Sequence, residues 1–373
     1  MDSVVRLTQK LIAYDTVNPP GEEQACARFL ASLLEDGGFQ VDAYEFADRR
    51  TSLVARKMFN ADVPPICFTG HLDTVPLGTV HWQGDPFGGA LENGRLYGRG
   101  ASDMKGGVAA MVTAALRAAA CAGGSSGIVL VLTAGEENGC QGARFLAGLE
   151  GVLGEAGALV VGEPTANLPL IGHKGALWLE GSTYGISAHG SMPEEGENAI
   201  YAAARAVLAL EKFRFSVPDH PILGKPTVNL GTISGGVNIN SVPDRARFEI
   251  DIRTVPPLTA NQVLLELRHA LGAAVELNII NDAPAVASNP EDRWVRQVFD
   301  IAAAHHRRRF PVRGATYFTD ASALTEAMGH PPVILLGPGE PTQAHKTDEF
   351  VYADKIEAAE EMYVEIIRRW CDR

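Results

Sequence analysis

The chain has 373 residues, 46% of them apolar and 21% charged, with a formal net charge of −13. That length carries one large domain or two, and the apolar share suffices for a sizeable buried core. The negative balance argues against a nucleic-acid or anionic-membrane partner, because both need a positive surface.

The N-terminal stretch MDSVVRLTQKLIAYDT alternates apolar and polar residues at helical spacing. It lacks the basic start and apolar block of a secretion signal. No stretch is long and apolar enough to span a bilayer. Residues 22–36 predict an amphipathic helix stopping at Gly37-Gly38, followed by strands at Gln40–Tyr44 and Ser52–Arg56. Four short apolar runs, Pro65–Thr69, Ile128–Thr133, Ala158–Val161 and Pro332–Leu336, have the length of buried strands. An Ala-rich helix, Gly106–Ala122, separates the first two. This rhythm predicts an α/β fold with a mostly parallel sheet covered by helices.

The pattern changes after Leu170. Residues 176–188 alternate as an antiparallel strand, a helix follows at Asn198–Phe213, and strands follow at Thr227–Ile233 and Arg245–Arg253. A helix at Ala260–Leu271 then leads to a strand at Ala274–Ile280. That β-α-β-β-α-β order predicts a smaller α+β sandwich inserted in the first domain. Cys26, Cys67, Cys121, Cys140 and Cys371 are odd in number and form no C-x-x-C pair, so a reducing cytoplasm is the expected compartment.

Polar residues follow each apolar run. ICFTG leads to His71-Leu-Asp73, VLVLTAG to Glu136-Glu137, ALVVG to Glu163-Pro164 and VILLGPGEPTQA to His345. Ligands of open α/β sheets bind beyond the carboxyl ends of the strands, so these side chains are expected at one sheet edge. Asp103, in the glycine-rich GRGASDMKGG, adds a fifth donor. Taken singly, each has a plain structural role: Asp103 as an N-cap, Glu136-Glu137 as carboxylates at a helix start, Glu163-Pro164 as a turn. Repetition after every strand favours metal ligation. Two histidines with carboxylates suit zinc, or manganese or cobalt. One catalytic zinc usually takes three protein ligands, so His71, Asp103, Glu137, Glu163 and His345 suit two ions sharing a carboxylate. Asp73 is placed to orient the His71 imidazole, and one of Glu136 and Glu137 to act as general base.

The stretches TGHLDTVP, LYGRGASDMKGG, TAGEENG, VGEPT, SAHGSMPEEGENAI, GGVNINSVPDRA and GPGEPTQAHKTDEF span nearly the whole chain. Together they resemble the M20 family of di-zinc metallopeptidases and deacylases. The resemblance implies that Asp103 bridges two metals, with His71 and Glu163 completing one site and Glu137 and His345 the other. It makes Glu136 the general base and Asp73 the residue behind His71. It implies a catalytic domain of 1–172 and 285–373 and a lid of 173–284 that mediates homodimerisation. His189 would reach the partner's active site and stabilise the tetrahedral oxyanion, while Asn240 and Arg253 would hold the substrate, Arg253 by clamping a carboxylate. The segment GATYFTDAS departs from the family's glycine- and serine-rich version and puts Thr319 and Asp320 on the substrate side. The implied reaction is hydrolysis of an N-acyl amino acid. A carboxypeptidase or dipeptidase of the same family, and a catalytically silent small-molecule binder, are the alternatives.

Overall fold

A computed structural model describes residues 3–60, 63–121 and 124–372. The first stretch runs α1 (Val4–Ile12), α2 (Gln24–Asp36), β1 (Gln40–Ala47), β2 (Arg50–Met58), β3 (Ile66–His71), β4 (Leu91–Glu92), β5 (Arg95–Tyr97), α3 (Gly106–Cys121), β6 (Gly127–Thr133), α4 (Gln141–Ala147) and β7 (Ala158–Val161). The middle runs β8 (Gly172–His173), β9 (Gly175–Tyr184), α5 (Ala199–Lys212), β10 (Thr227–Gly235), β11 (Arg245–Thr254), α6 (Ala260–Leu271), β12 (Glu276–Ala283) and β13 (Val286–Ala287). The last stretch holds α7 (Arg293–His306), α8 (Ala321–Ala327), β14 (Val333–Leu335), β15 (Phe350–Tyr352) and α9 (Ala353–Cys371).

These elements form two compact units. The first comprises the residues up to Gly172, Ala287–Arg313 and Thr319 onward; the second comprises His173–Val286 and Gly314–Phe318. The sequence reading put all of 285–373 in the catalytic part. Gly314–Phe318 instead packs in the second unit, because Lys174 N donates to Ala315 O at 3.0 Å and Phe318 meets the Trp178 ring.

The first unit is built on a six-stranded sheet of order β1-β2-β6-β3-β7-β14. β6, β3, β7 and β14 are parallel, and the β1–β2 hairpin adds an antiparallel edge. Every residue of β3, β6, β7 and β14 is buried, which is why these strands read as unbroken apolar runs. Gly107 at the start of α3 lies so close to Gly162 that a Cβ there would stand 2.2 Å from the Gly162 carbonyl oxygen.

The second unit is a four-stranded antiparallel sheet of order β10-β11-β9-β12 with α5 and α6 on one face. Leu177 and Leu179 of β9 and Phe248, Ile250 and Ile252 of β11 meet Ala203, Leu210, Val263 and Leu267 of the helices in its core. Asn198 caps α5, and Thr259 with Gln262 forms a capping box on α6. β9 stops at Tyr184, short of the expected end at 188. Past that point the chain leaves the sheet, and Ile186 bridges to Glu197 instead.

Among the described residues no helix is long and apolar enough to cross a membrane. Cys26, Cys67, Cys140 and Cys371 are free and buried; the Cys121 side chain and Ala122 lie outside the described residues.

Candidate metal centre

The parallel strands deliver their polar residues to the carboxyl edge of the sheet. β3 ends on His71 itself; Glu136 and Glu137 follow β6, Glu163 follows β7, and a longer segment leads from β14 to His345. Asp103 sits in the wide turn Ala101–Lys105 that opens α3.

His71 Nε2 is 3.2 Å from Asp103 Oδ1 and 3.9 Å from Glu163 Oε1. His345 Nε2 is 3.4 Å from Asp103 Oδ2 and 3.2 Å from Glu137 Oε2. Asp103 therefore gives one oxygen to each of two groups, His71–Asp103–Glu163 and Asp103–Glu137–His345, whose ligand atoms lie within 4.8 Å of one another. Donors 2.0–2.2 Å from one tetrahedral ion are about 3.3–3.6 Å apart, close to the 3.2–3.9 Å found here.

The electrostatics fit cations. Burial pushes the Glu136, Glu137 and Glu163 carboxyls up, and their mutual repulsion adds to it. His345 is pushed up to about 10 by its bonds to Asp103 and Glu137. Burial opposes charge on His71, but Asp103 and Glu163 outweigh it and raise its pKa. Glu137 Oε1 is buried with no hydrogen-bond partner among the described residues. Acidic side chains thus outnumber the two imidazoles in a cluster that is buried except at the exposed His345, and one oxygen is unsatisfied. Divalent ions supply the missing positive charge, so this donor set fits a pair of them.

Asp73 meets His71 through its backbone, not its carboxylate. His71 Nδ1 lies 2.9 Å from the backbone carbonyl of Asp73, whereas the nearer carboxylate oxygen is 3.7 Å away. The Asp73 carboxylate instead accepts the backbone N–H groups of Glu136 at 3.0 Å and Glu137 at 3.3 Å, and the Asn18 amide at 2.8 Å. It therefore shapes the loop that carries the general-base candidate and one ligand.

Two further residues went unnoticed in the sequence. Glu349 is buried against Arg99, with Nη1 donating to Oε2 at 2.7 Å. Its oxygens also accept the N–H groups of Gly100, Ser102 and Asp103 at 2.8–2.9 Å, which fixes the turn presenting Asp103. Asn18 links Asp73 to Asn138, whose amide donates to Asn18 Oδ1 at 2.6 Å. The only sequence signal for Glu349 was its place inside the TDEF motif; nothing marked Asn18.

Thr319 is placed inside the first unit. It is fully buried, and its hydroxyl accepts the Ala321 N–H at 3.2 Å at the start of α8. Its neighbour Asp320 is buried beside Glu136 and Cys140, accepts the Thr133 hydroxyl, and is pushed up to about 6 mainly by burial.

His189, Asn240 and Arg253 belong to the second unit. His189 is exposed, with Nδ1 2.7 Å from Ser191 Oγ. Its loop is tied to that of Asn240, since Gly190 N donates to Asn240 O at 2.7 Å. Arg253, half-buried, donates through Nε and Nη2 to Asp251 Oδ2 at 3.2 and 3.0 Å.

Residues 67–369 match the model of Peptidase family M20/M25/M40. The chain belongs to this family. It is 28% identical to a protein of Staphylococcus epidermidis named "Probable succinyl-diaminopimelate desuccinylase", covering 99% of this chain and 98% of that one. It is also 28% identical to an acetylornithine deacetylase of Proteus mirabilis, covering 100% of this chain and 97% of the other. An M20 family metallo-carboxypeptidase from Sulfolobus solfataricus shares the fold, with a TM-score of 0.81, 18% identity and 99% of each chain covered.

Proposed function

We propose that this M20 family chain hydrolyses the amide bond of an N-acyl amino acid, releasing a carboxylic acid and a free amino acid. The observation that carries the reading is the split of the Asp103 carboxylate between two histidine–carboxylate groups. His71, Asp103 and Glu163 would hold one ion, and Asp103, Glu137 and His345 the other, zinc being the first choice and cobalt or manganese the next. When bound, two such ions lower the pKa of water toward neutrality and polarise a carbonyl oxygen.

The protein's own groups do the rest. Glu136 is buried beside the ligand candidates, and burial raises its carboxyl; its place beside them is what a general base needs. It takes the proton of the attacking water and returns it to the leaving nitrogen. Asp73 holds Glu136 and Glu137 in register through their backbone N–H groups. Exposed His189 stabilises the tetrahedral oxyanion, Asn240 binds beside it, and Arg253 grips the substrate carboxylate. His189 acts on a partner subunit's substrate, so the working form is a homodimer through the second unit. β10, an edge strand of its sheet, exposes Ile233, and the neighbouring α5 exposes Tyr201 and Leu208, which supports that surface. The compartment is the cytoplasm, consistent with the free thiols. The relatives named for removal of a succinyl group and an acetyl group support the deacylase side of the family.

The test is turnover of a panel of N-acyl amino acids and dipeptides by metal-reconstituted protein, beside a Glu136→Ala control. Hydrolysis of the acyl amino acids, lost by about 10²-fold or more in the control, is the expected result. Preference for dipeptides would move the reaction to the peptidase side. Undiminished turnover in Glu136→Ala would remove Glu136 from the chemistry.

A further inference from the structure

The open face of the second unit's sheet carries a cluster that sequence reasoning did not assemble. Side chains alternate along β9 and β11, and Leu177, Leu179, Ile250 and Ile252 fill the helix-covered core. Trp178, Asp251 and Arg253 therefore lie on the other face, with Trp178 directly paired to Asp251 across the strands. Trp178 Nε1 donates to Asp251 Oδ1 at 3.2 Å, while Arg253 holds Oδ2. Phe318, from the short segment that departs from the family's usual sequence, closes the group. Its ring is 5.9 Å from the Trp178 ring in an edge-on arrangement, and the Arg253 guanidinium stands 5.9 Å from its centroid.

We infer that Trp178 and Phe318 form an aromatic wall beside Arg253 that selects N-acyl amino acids with an uncharged apolar or aromatic side chain. This rests on the reading that Arg253 grips the substrate carboxylate. The side chain of an amino acid branches one atom from its carboxylate, so groups within about 6 Å of the gripping guanidinium, the range of aromatic and cation contacts, are its neighbours. Two half-buried rings offer apolar contact there. A cationic side chain finds both oxygens of Asp251 already engaged. It also meets positive charge, because the Lys174 ammonium, which donates to the Lys225 carbonyl and has no ion pair among the described residues, and the Arg253 guanidinium repel one another. Burial and that guanidinium push the Lys174 ammonium below its ordinary range. An acidic side chain gains from these cations but loses hydration against the rings without a hydrogen-bond donor from them.

Two measurements separate this from the proposed reaction. The first is equilibrium binding of N-acetyl-phenylalanine, -leucine, -ornithine and -glutamate to metal-loaded Glu136→Ala protein. The second is kcat/KM for the same four with the wild type, Phe318→Ser and Phe318→Leu. The expected result is phenylalanine and leucine favoured over ornithine and glutamate by about tenfold or more. Phe318→Ser should cut the phenylalanine-to-ornithine ratio by about tenfold, and Phe318→Leu should keep the apolar preference. Preference for ornithine or glutamate, a ratio unmoved in Phe318→Ser, or no binding of any of the four overturns the inference. Selective binding of the apolar pair without turnover supports it and overturns the proposed reaction alone.

Discussion

Glu349 shows how one side chain can control another's chemistry. Its carboxylate is enclosed with Arg99 and takes three consecutive-turn N–H groups, the last being that of Asp103. Glu349→Gln leaves the Arg99 guanidinium buried without its counter-charge, at a cost of about 3–5 kcal/mol. The expected outcome is a lower melting temperature together with fewer ions per chain by elemental analysis; a full metal complement would show that the Asp103 turn holds itself. His173 gives a pH signature in the second unit. It is fully buried, with its Nδ1 2.9 Å from the Lys174 carbonyl oxygen, and burial pushes its pKa down to about 4 from an ordinary 6.5. A depressed histidine contributes stability that is complete above about pH 6.5 and is lost as pH falls through 4, about 3 kcal/mol in all. Denaturation midpoints between pH 7.5 and 4 should therefore fall more steeply for the wild type than for His173→Leu; parallel slopes would contradict the assignment. The clustered ligand candidates were legible in the sequence because few residue types bind metals and four of the five follow apolar strands. Glu349 was not, because it grips a turn 246 residues away and leaves no local pattern. For Asp73, spacing placed the residue beside His71 but could not say that its backbone, not its side chain, makes the bond.

At the scale of elements, the buried strands and the capped helices followed their patterns closely. α6 occupies Ala260–Leu271 as expected, since its capping box fixes the start. Alternation carried the reading of β9 too far, because the polar pattern of GISAHG continues after the backbone has left the sheet. The role of Thr319 at the start of α8, where it accepts the Ala321 N–H, carried no signal in the GATYFTDAS pattern. The approach of α3 to the Glu163 turn depends on Gly107. Gly107→Ala puts a methyl against the Gly162 carbonyl, so the backbone must shift and Glu163 with it. Loss of one ion per chain, measured beside a melting curve, is expected; an unchanged metal count would mean that the turn can yield without moving its ligand. The exposed apolar residues of α5 and β10 carry a separate prediction. Leu208→Glu with Ile233→Glu should turn a dimer into a monomer by light scattering, and a dimer that survives both charges would place the interface elsewhere.

At the scale of the molecule, the chain is a parallel α/β unit interrupted by an antiparallel one. The inserted order of strands and helices was legible because both hydrophobic periods change together after Leu170. The return of Gly314–Phe318 to the second unit was not, since five residues carry no period of their own and are held by backbone pairing with His173–Lys174. The net charge of −13 is partly concentrated in the carboxylates around Asp103, where two imidazoles cannot balance it. The central claim is that this cluster holds two ions sharing Asp103. The most direct measurement is elemental analysis of reconstituted, desalted wild type and Asp103→Ala. Two ions per chain in the wild type, falling to none or to a weakly held one in the variant, is the predicted result; one ion or none in the wild type, or two retained without Asp103, would contradict it.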